Sequence, residues 1–285
     1  MKTWMKITAA IIVTAMICVP VMATLFQRET PTINVAGSTT VQPLMLELQK
    51  EFEKFADVQM NVTGGGSGVG ISSTLNGVAD IGMLSRDLKP GESQGVLVEH
   101  IIAMDAVVVI VNVEAGLGPA PDLTLRDLVD IYSGAKTDWS ELGGNSRGIA
   151  VIGREEGSGT RDCFDSALKK EDPSFKTKDT VNSVNSTGAV LAAVSTIPGS
   201  IGYINLNIST ESYSTIQKAT LNGVTATPAT VLDKDESTKY KMSRDLVLVT
   251  RGEPTGMVEF FINWVFSKTG QDIVERCGFV RVDGR

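Results

Sequence analysis

The chain has 285 residues, of which 42% are hydrophobic and 21% are charged, and its formal net charge at pH 7 is −7. This length suits two globular units with sizeable cores, and the composition argues against a disordered, low-complexity or repetitive protein. The acidic balance argues against nucleic acid and anionic membrane surfaces as partners, so an anionic ligand would have to be held by local donors.

The amino-terminal residues form a segment of their own. Lys2 and Lys6 precede an uncharged run over residues 7–26, which is typical of an export signal. At a rise of ~1.5 Å per residue, a helix of this length would also cross the ~30 Å hydrocarbon core of a bilayer. Residues 1–26 are therefore predicted to be a signal peptide or an uncleaved N-terminal membrane anchor. Both place the rest of the chain outside the cytoplasm, in the periplasm or on the outer face of the cell membrane.

The elements predicted after the leader begin as strand, loop, helix, strand, which is the βαβ pattern of a parallel sheet covered by helices. In chain order, the predicted strands span residues 32–35, 58–62, 79–83, 101–113, 150–153, 201–204 and 246–250. The predicted helices span residues 41–55, 71–77, 123–132, 160–169, 187–195 and 258–266. Residues 205–224 are polar and show only a weak pattern.

Three clusters of glycine, serine and threonine each precede a predicted helix. They are residues 37–40, 64–68 and 157–160. A helix start offers unpaired N–H groups and the positive end of the macrodipole, which suit a small anion. Glycine lets the backbone approach a ligand closely, and serine or threonine adds a hydroxyl donor. One such loop is ordinary, but three in one chain indicate a shared oxyanion pocket.

Each loop also has a purely structural interpretation. A hydroxyl of residues 38–40 could cap the helix at Val41, and residues 64–68 could form a flexible surface turn. The third loop favours binding most strongly, because residues 154–160 combine the Arg154 guanidinium, hydroxyl groups and a helix start.

The residues required by common enzyme classes are missing. His100 is the single histidine, no G-x-S-x-G or G-x-x-x-x-G-K-[ST] motif occurs, and Cys and His lack the spacing of metal ligands. Donor-rich loops without a nucleophile, base or metal indicate a binding protein rather than an enzyme, with no cofactor. Cys163 and Cys277 could pair in an oxidising compartment or remain free thiols.

Several segments together resemble the substrate-binding protein of bacterial and archaeal phosphate ABC importers, in the type II periplasmic-binding-protein superfamily. They are residues 36–43, 64–70, 79–83, 128–139, 153–162 and 198–203. The resemblance keeps the family's order from about residue 32 to 285. It implies an α/β fold of two lobes, each with a central sheet and joined by crossing strands, with residues 27–112 plus 205–285 in lobe 1 and 113–204 in lobe 2.

The same resemblance implies that inorganic phosphate is bound in the cleft and delivered to an inner-membrane ABC permease with its ATPase. We expect a monomer that is tethered to the membrane or secreted. The phosphate-binding residues that the resemblance implies are Ser38, Thr39, Thr40, Ser67, Arg154, Ser158, Gly159 and Thr160. Ser85 and Arg86 are further candidates: Ser85 could donate to the anion, and Arg86 could face the cleft or pair with Asp87.

One departure from the family pattern concerns ligand selectivity. Many members have an Asp after the segment that matches residues 80–82, and it accepts the proton of hydrogen phosphate; here residues 84–87 read Leu-Ser-Arg-Asp. Asp162, Asp80 and Asp87 are the alternative acceptors. Other functions therefore stay open: a receptor for sulfate, molybdate or tungstate, a phosphate-ester hydrolase, or a sensory or adhesion module.

Overall fold

The computed structural model describes residues 30–282, so the predicted leader at residues 1–26 lies outside the described residues. The part of the chain from Thr30 to Asn112 begins with three strands and two helices and ends in one long strand. These are β1 (Thr32–Gly37), α1 (Gln42–Phe55), β2 (Gln59–Gly64), α2 (Ser67–Leu75), β3 (Ile81–Leu84) and β4 (Leu97–Asn112).

The middle of the chain alternates strands and helices. Its elements are β5 (Asp122–Leu123), α3 (Leu125–Ser133), β6 (Ala150–Arg154), α4 (Gly159–Glu171), β7 (Asn182–Val184), α5 (Thr187–Thr196) and β8 (Ser200–Asn205). The remaining elements are β9 (Ile216–Lys218), β10 (Thr220–Leu221), α6 (Pro228–Leu232), β11 (Ser243–Arg251), α7 (Gly256–Phe266) and α8 (Lys268–Arg276).

Strand β4 connects two halves of a mixed sheet, which runs in the order β2–β1–β3–β11–β4–β8–β6–β7. Residues 97–106 of β4 pair antiparallel with β11, and residues 107–112 pair antiparallel with β8 and β9. On either side, β1 lies parallel to both β2 and β3, and β6 lies parallel to both β7 and β8. β4 therefore passes from one half of the molecule to the other, which explains why its apolar run is so long.

Each half has its own hydrophobic core. In the first half, α1 packs Leu44 and Phe52 against the sheet and against Phe261 of α7, with 5.0 Å between the centroids of the two Phe rings. In the second half, the rings of Phe164 on α4 and Tyr203 on β8 stack at 4.2 Å. Helices thus cover both parts of the sheet, and the carboxyl ends of the parallel strands are left to face the space between the halves.

Residues 216–242 pack with the second half. β9 pairs with the end of β4, β10 pairs with β5, and Leu221, Tyr240 and Met242 belong to the second core. The side-chain amide of Asn207 donates to the carbonyl oxygen of Cys277 in the first half at 3.1 Å, and β11 then joins the first part of the sheet. The weak pattern of residues 205–224 hid two short strands, since two or three residues are too few to establish a period.

Candidate anion-binding site

The loops before helices α1, α2 and α4 meet between the two halves. α1 and α2 follow the carboxyl ends of the parallel strands β1 and β2, and α4 follows the carboxyl end of β6. The N–H of Gly68 donates to the carbonyl oxygen of Gly157 at 3.0 Å, and the hydroxyl oxygens of Thr40 and Thr160 lie 3.0 Å apart. The structure therefore brings together three helix starts, whose dipoles present their positive ends to one buried space.

Gly37 allows the first loop to lie against β3. Its φ is +138°, and a Cβ atom there would clash with the carbonyl oxygen of Met83. That oxygen accepts the N–H of Ser38 at 2.8 Å. The Ser38 hydroxyl in turn accepts from the N–H groups of Thr40 at 3.2 Å and Val41 at 3.4 Å, so Ser38 holds the turn that leads into α1.

The second loop leads directly into α2. The helix begins at Ser67 rather than at the predicted residue 71, because Gly65 and Gly66, with φ of +156° and +91°, turn the chain immediately before it. Gly70 then faces the backbone of β3, where a Cβ atom would lie 2.7 Å from the carbonyl oxygen of Met83. Ser67 is fully buried as a result of this close packing.

The third loop begins with Arg154 at the end of β6 and continues to Ser158 at the start of α4. Ser158 is the N-cap residue, and its hydroxyl accepts from the N–H of Arg161 at 3.3 Å. Ser158, Gly159 and Thr160 are all buried. The backbone N–H of Arg154 donates to the Tyr203 hydroxyl at 3.1 Å, which fixes the end of β6 against β8.

The Arg154 side chain is buried and oriented by several partners. Its Nε and Nη2 donate to both carboxylate oxygens of Glu155, each at 2.8 Å. Nη2 also donates to the hydroxyl of Thr39 in the opposite half, and Nη1 donates to the hydroxyl of Thr187, both at 3.2 Å. A guanidinium has five N–H donors, so these four bonds leave one N–H of Nη1.

Three serine hydroxyls meet one glycine at the start of α4. The Ser38 hydroxyl donates to Ser85 at 3.0 Å, the hydroxyl oxygens of Ser67 and Ser85 are 3.4 Å apart, and the N–H of Ser85 donates to Ser67 at 3.1 Å. Gly159, at the start of α4, faces the same point: a Cβ atom there would lie 2.6 Å from the Ser85 hydroxyl oxygen and closer still to that of Ser67.

Arg86 follows Ser85, but its guanidinium bonds to acidic residues. Nε donates to Asp162 at 2.7 Å, and Nη1 and Nη2 donate to Glu92 at 2.7 and 2.9 Å. Nη1 also donates to the carbonyl oxygen of Asp87 at 2.8 Å. Burial opposes the charge, but the hydrogen bonds and charges of Glu92 and Asp162 keep the pKa of Arg86 above its ordinary value. Arg86 thus links the two halves through Asp162.

Of the three aspartates considered as acceptors, one is paired with basic side chains and two are exposed. Asp162 is paired with Arg86 and with Lys89 at 2.8 Å. Asp80 is exposed, precedes β3 at the strand end opposite the loops, and accepts the N–H of Asn34 at 2.7 Å. Asp87 is exposed as well.

A buried ion pair beneath the loops was missed by sequence reasoning. Arg244 at the start of β11 donates to Asp105 of β4 at 2.8 Å, and its Nη2 also reaches the Thr40 hydroxyl at 3.4 Å. Burial raises the pKa of Asp105, and the Arg244 guanidinium opposes that rise. Within residues 30–282, Nη1 of Arg244 has no hydrogen-bond partner. No sequence motif joins residues this far apart, so only the pairing of β4 with β11 reveals them.

Residues 30–282 contain neither a metal-ligand cluster nor a membrane-spanning helix. No His, Cys, Asp and Glu side chains are grouped there as a metal site would require. None of the helices in that part of the chain has the length and apolar character needed to cross a membrane.

Sequence comparison relates the chain to binding proteins. A sequence model of the family described as the PBP superfamily domain matches residues 26–269. The phosphate-binding protein PstS of Borreliella burgdorferi is 31% identical over 88% of this chain and 90% of its own length. PstS of Bacillus subtilis is 30% identical over 90% of this chain and 82% of its own length.

Solved structures agree with the sequence comparison. A Clostridium perfringens protein described as a phosphate ABC transporter substrate-binding protein with bound phosphate superposes with a TM-score of 0.79 at 35% identity, covering 88% of this chain and 100% of that one. An ABC-type phosphate transport receptor from Vibrio cholerae superposes with a TM-score of 0.69 at 28% identity, over 88% and 100% of the two chains. The predicted two-lobed type II fold is thereby confirmed. The chain belongs to the PBP superfamily and, within it, to the phosphate-binding substrate-binding proteins.

Proposed function

We propose that this protein binds inorganic phosphate between its two halves and delivers it to an ABC importer. The observation that carries the proposal is the convergence of three helix starts, a buried arginine and a set of hydroxyls at one point between the halves. The printed names of its relatives, including a neighbour with bound phosphate, support the same ligand. The family is one of transport receptors rather than enzymes.

Most hydroxyls of the site are oriented as donors. A hydroxyl that already accepts a hydrogen bond from an N–H group directs its own proton elsewhere. This holds for Thr39, which accepts from Arg154; for Ser67, which accepts from the N–H of Ser85; and for Ser158, which accepts from the N–H of Arg161. It also holds for Thr40 and Thr187, whereas the Ser38 hydroxyl donates its proton to Ser85. Such hydroxyls suit an anion, whose oxygens are acceptors.

Arg154 is the cation that we propose to contact phosphate directly. Glu155 accepts from Nε and Nη2 of the guanidinium, Thr39 also accepts from Nη2, and Thr187 accepts from Nη1, so the side chain is fixed before the anion arrives. Pre-oriented donors lose little entropy on binding, and a water-poor pocket strengthens each hydrogen bond. The remaining N–H of Nη1 is available to an anion oxygen.

We propose that the two halves are the lobes of the receptor and that the structure corresponds to the closed form. Contacts across the cleft include Gly68 with Gly157, Thr39 with Arg154, and Arg86 with Asp162. Release of the anion would require these contacts to break by a hinge motion at the crossing strands. From the packing of residues 216–242, we place the return to lobe 1 at Ser243 rather than at residue 205.

The proposal includes an extracytoplasmic location and a membrane permease with its ATPase as the partner. Residues 1–26 would export or tether the protein, and the mature chain would act as a monomer. Site roles are proposed for Ser38, Thr39, Thr40, Ser67, Ser85, Arg154, Ser158, Gly159 and Thr160. The contacts of Arg86 instead favour a bridge between the lobes.

Calorimetric titration of the purified protein with phosphate tests the proposal, with sulfate, molybdate and tungstate titrated in parallel. We expect 1:1 binding of phosphate that is tighter than that of the other three anions. Heat from another anion without heat from phosphate would refute phosphate as the cargo. No heat from any of the four would refute the function as an oxyanion receptor.

A further inference from the structure

The buried pair of Asp105 and Arg244 lies where the chain crosses between the two halves. Arg244 stands directly opposite Asp105 in the antiparallel register of β11 and β4. Further along the same two segments, the N–H of Val107 donates to the carbonyl oxygen of Met242 at 2.9 Å, and both of these residues belong to the second core. The pair therefore joins the two crossing segments close to the point where both leave the first half.

The burial of this ion pair is not explained by stability alone. Asp105 is 0% and Arg244 is 6% exposed, and Nη1 of Arg244 has no hydrogen-bond partner within residues 30–282. Removing two charges from water costs free energy that their attraction only partly offsets, so apolar residues of similar volume are often at least as stabilising. An unpartnered buried N–H group adds to that cost. We therefore expect the pair to have a role beyond stability.

One nitrogen of Arg244 connects the pair to the anion-binding loops. Nη2 donates to Asp105 at 2.8 Å and to the hydroxyl of Thr40 at 3.4 Å, so its two N–H groups have one partner each. Thr40 is buried in the loop before α1, and its hydroxyl oxygen lies 3.0 Å from that of Thr160 at the start of α4. A continuous row of polar contacts thus runs from the crossing strands to the place where the two halves meet.

The contact with Arg244 fixes the direction of the Thr40 proton. A guanidinium can only donate hydrogen bonds, so the Thr40 oxygen accepts from it and the hydroxyl proton points to Thr160 or to the anion. Thr40, Asp105 and Arg244 all lie in the first half, so this orientation does not depend on closure of the cleft. A donor that is oriented before binding loses less entropy when the anion arrives.

We propose that Arg244 is a positioning residue of the phosphate site: held by Asp105 at the crossing strands, it keeps the Thr40 hydroxyl oriented as a donor. This deepens the proposed function and rests on it. Arg154 contacts the anion in the proposed site, whereas Arg244 acts through Thr40. The charges of Arg244 and Asp105 cancel, so their effect on phosphate binding is one of geometry rather than of net charge.

The test replaces the pair by apolar residues of similar size and measures phosphate dissociation constants by calorimetric titration. The apolar-pair variant, Asp105→Leu/Arg244→Met, keeps the net charge of the chain and leaves no buried charge without its partner. The N–H of Leu206, which donates to Asp105 at 3.1 Å, also donates to the carbonyl oxygen of Ala106 at 2.9 Å, so it keeps a partner in the variant.

Two further sets of variants separate positioning from a general structural effect. Glu47→Leu/Lys50→Met is the matched control, since it makes the same kind of replacement at an exposed ion pair of α1. Thr40→Val removes the hydroxyl that Arg244 contacts, and it is introduced both into the wild type and into the apolar-pair variant. Circular dichroism and thermal unfolding without ligand verify that each variant folds.

We expect the apolar-pair variant to bind phosphate about 5- to 20-fold more weakly than the wild type, as for the loss of roughly one oriented hydrogen bond. Thr40→Val should weaken binding by a similar factor in the wild type but by less than about 2-fold in the apolar-pair variant, because both changes remove the same oriented donor. Glu47→Leu/Lys50→Met should bind phosphate as the wild type does.

Wild-type affinity in the folded apolar-pair variant would overturn the role of Arg244, and so would an equal effect of Thr40→Val in both backgrounds. If the apolar-pair variant does not fold, Arg244→Lys takes its place, because an ammonium keeps the charge but lacks the planar fork that serves Asp105 and Thr40 together. The same two losses are expected there, and wild-type affinity would again overturn the proposal. Absence of phosphate binding to the wild type would instead refute the proposed function, and this inference with it.

Discussion

Replacing Gly159 by alanine tests how closely the two halves approach each other at the site. Gly159 begins α4 in the second half, whereas the neighbouring hydroxyls of Ser67 and Ser85 belong to the first half. The added methyl group would lie 2.6 Å from the Ser85 oxygen, well inside van der Waals contact. Excess volume in a well-packed site costs about 1–3 kcal/mol. If this cost destabilises the closed form and not the open form, the phosphate dissociation constant should rise about 5- to 150-fold.

The variant should not lose stability in the absence of phosphate, because the halves can separate and remove the clash. Replacing a helical glycine by alanine can even add about 0.4–1 kcal/mol by restricting the unfolded chain. Calorimetric titration gives the affinity, and thermal unfolding without ligand gives the stability. Gly188→Ala is the matched control, since a Cβ atom at Gly188 of α5 would have no heavy atom within 4 Å. Wild-type phosphate affinity in Gly159→Ala would refute the proposed closed geometry.

Three further predictions concern single side chains. Arg154→Ala should weaken phosphate binding by about 1.5–3 kcal/mol, as expected for a charge-assisted hydrogen bond, whereas the exposed Arg126→Ala should not; equal affinities in titration calorimetry would contradict the role of Arg154. Burial lowers the pKa of His100, so its contribution to stability is lost as the pH falls through about 6.5. The free energy of unfolding, measured with denaturant, should therefore differ less between pH 7.5 and pH 5.5 in His100→Gln than in the wild type. Desolvation raises the pKa of the half-buried Cys163 thiol to about 11, so a thiol reagent at pH 8 should modify it far more slowly in the folded than in the unfolded protein; equal rates would contradict the raised pKa.

Much of the first half could be predicted from the sequence, because its elements are long and regularly patterned. The spacing of Leu44, Leu48, Phe52 and Phe55 indicated α1, and the apolar run after residue 100 indicated β4. Helix α8 was missed because its buried face includes Gly270 and Gln271, which do not register as hydrophobic. Its partner α7 is aromatic and was predicted almost residue for residue.

In the candidate site, short sequence motifs predicted the loops but not the contacts between residues that are distant in sequence. The glycine and hydroxyl loops could be recognised because each is a short contiguous motif at a helix start. The bond from Arg86 to Asp162 and the Asp105–Arg244 pair join segments that are distant in sequence, so no local motif could assign them. The state of the cysteines was left open by the sequence; in residues 30–282, Cys163 and Cys277 are both free thiols.

A crystal structure of the protein with phosphate is the measurement that tests the central claim most directly. We predict one phosphate between the starts of α2 and α4, with oxygens accepting from Arg154, the Thr39 hydroxyl and the backbone at Gly159. The Ser85 hydroxyl oxygen should lie within hydrogen-bonding distance of the anion. Phosphate bound elsewhere on the molecule, with these groups unchanged, would contradict the assignment of the three loops as the binding site.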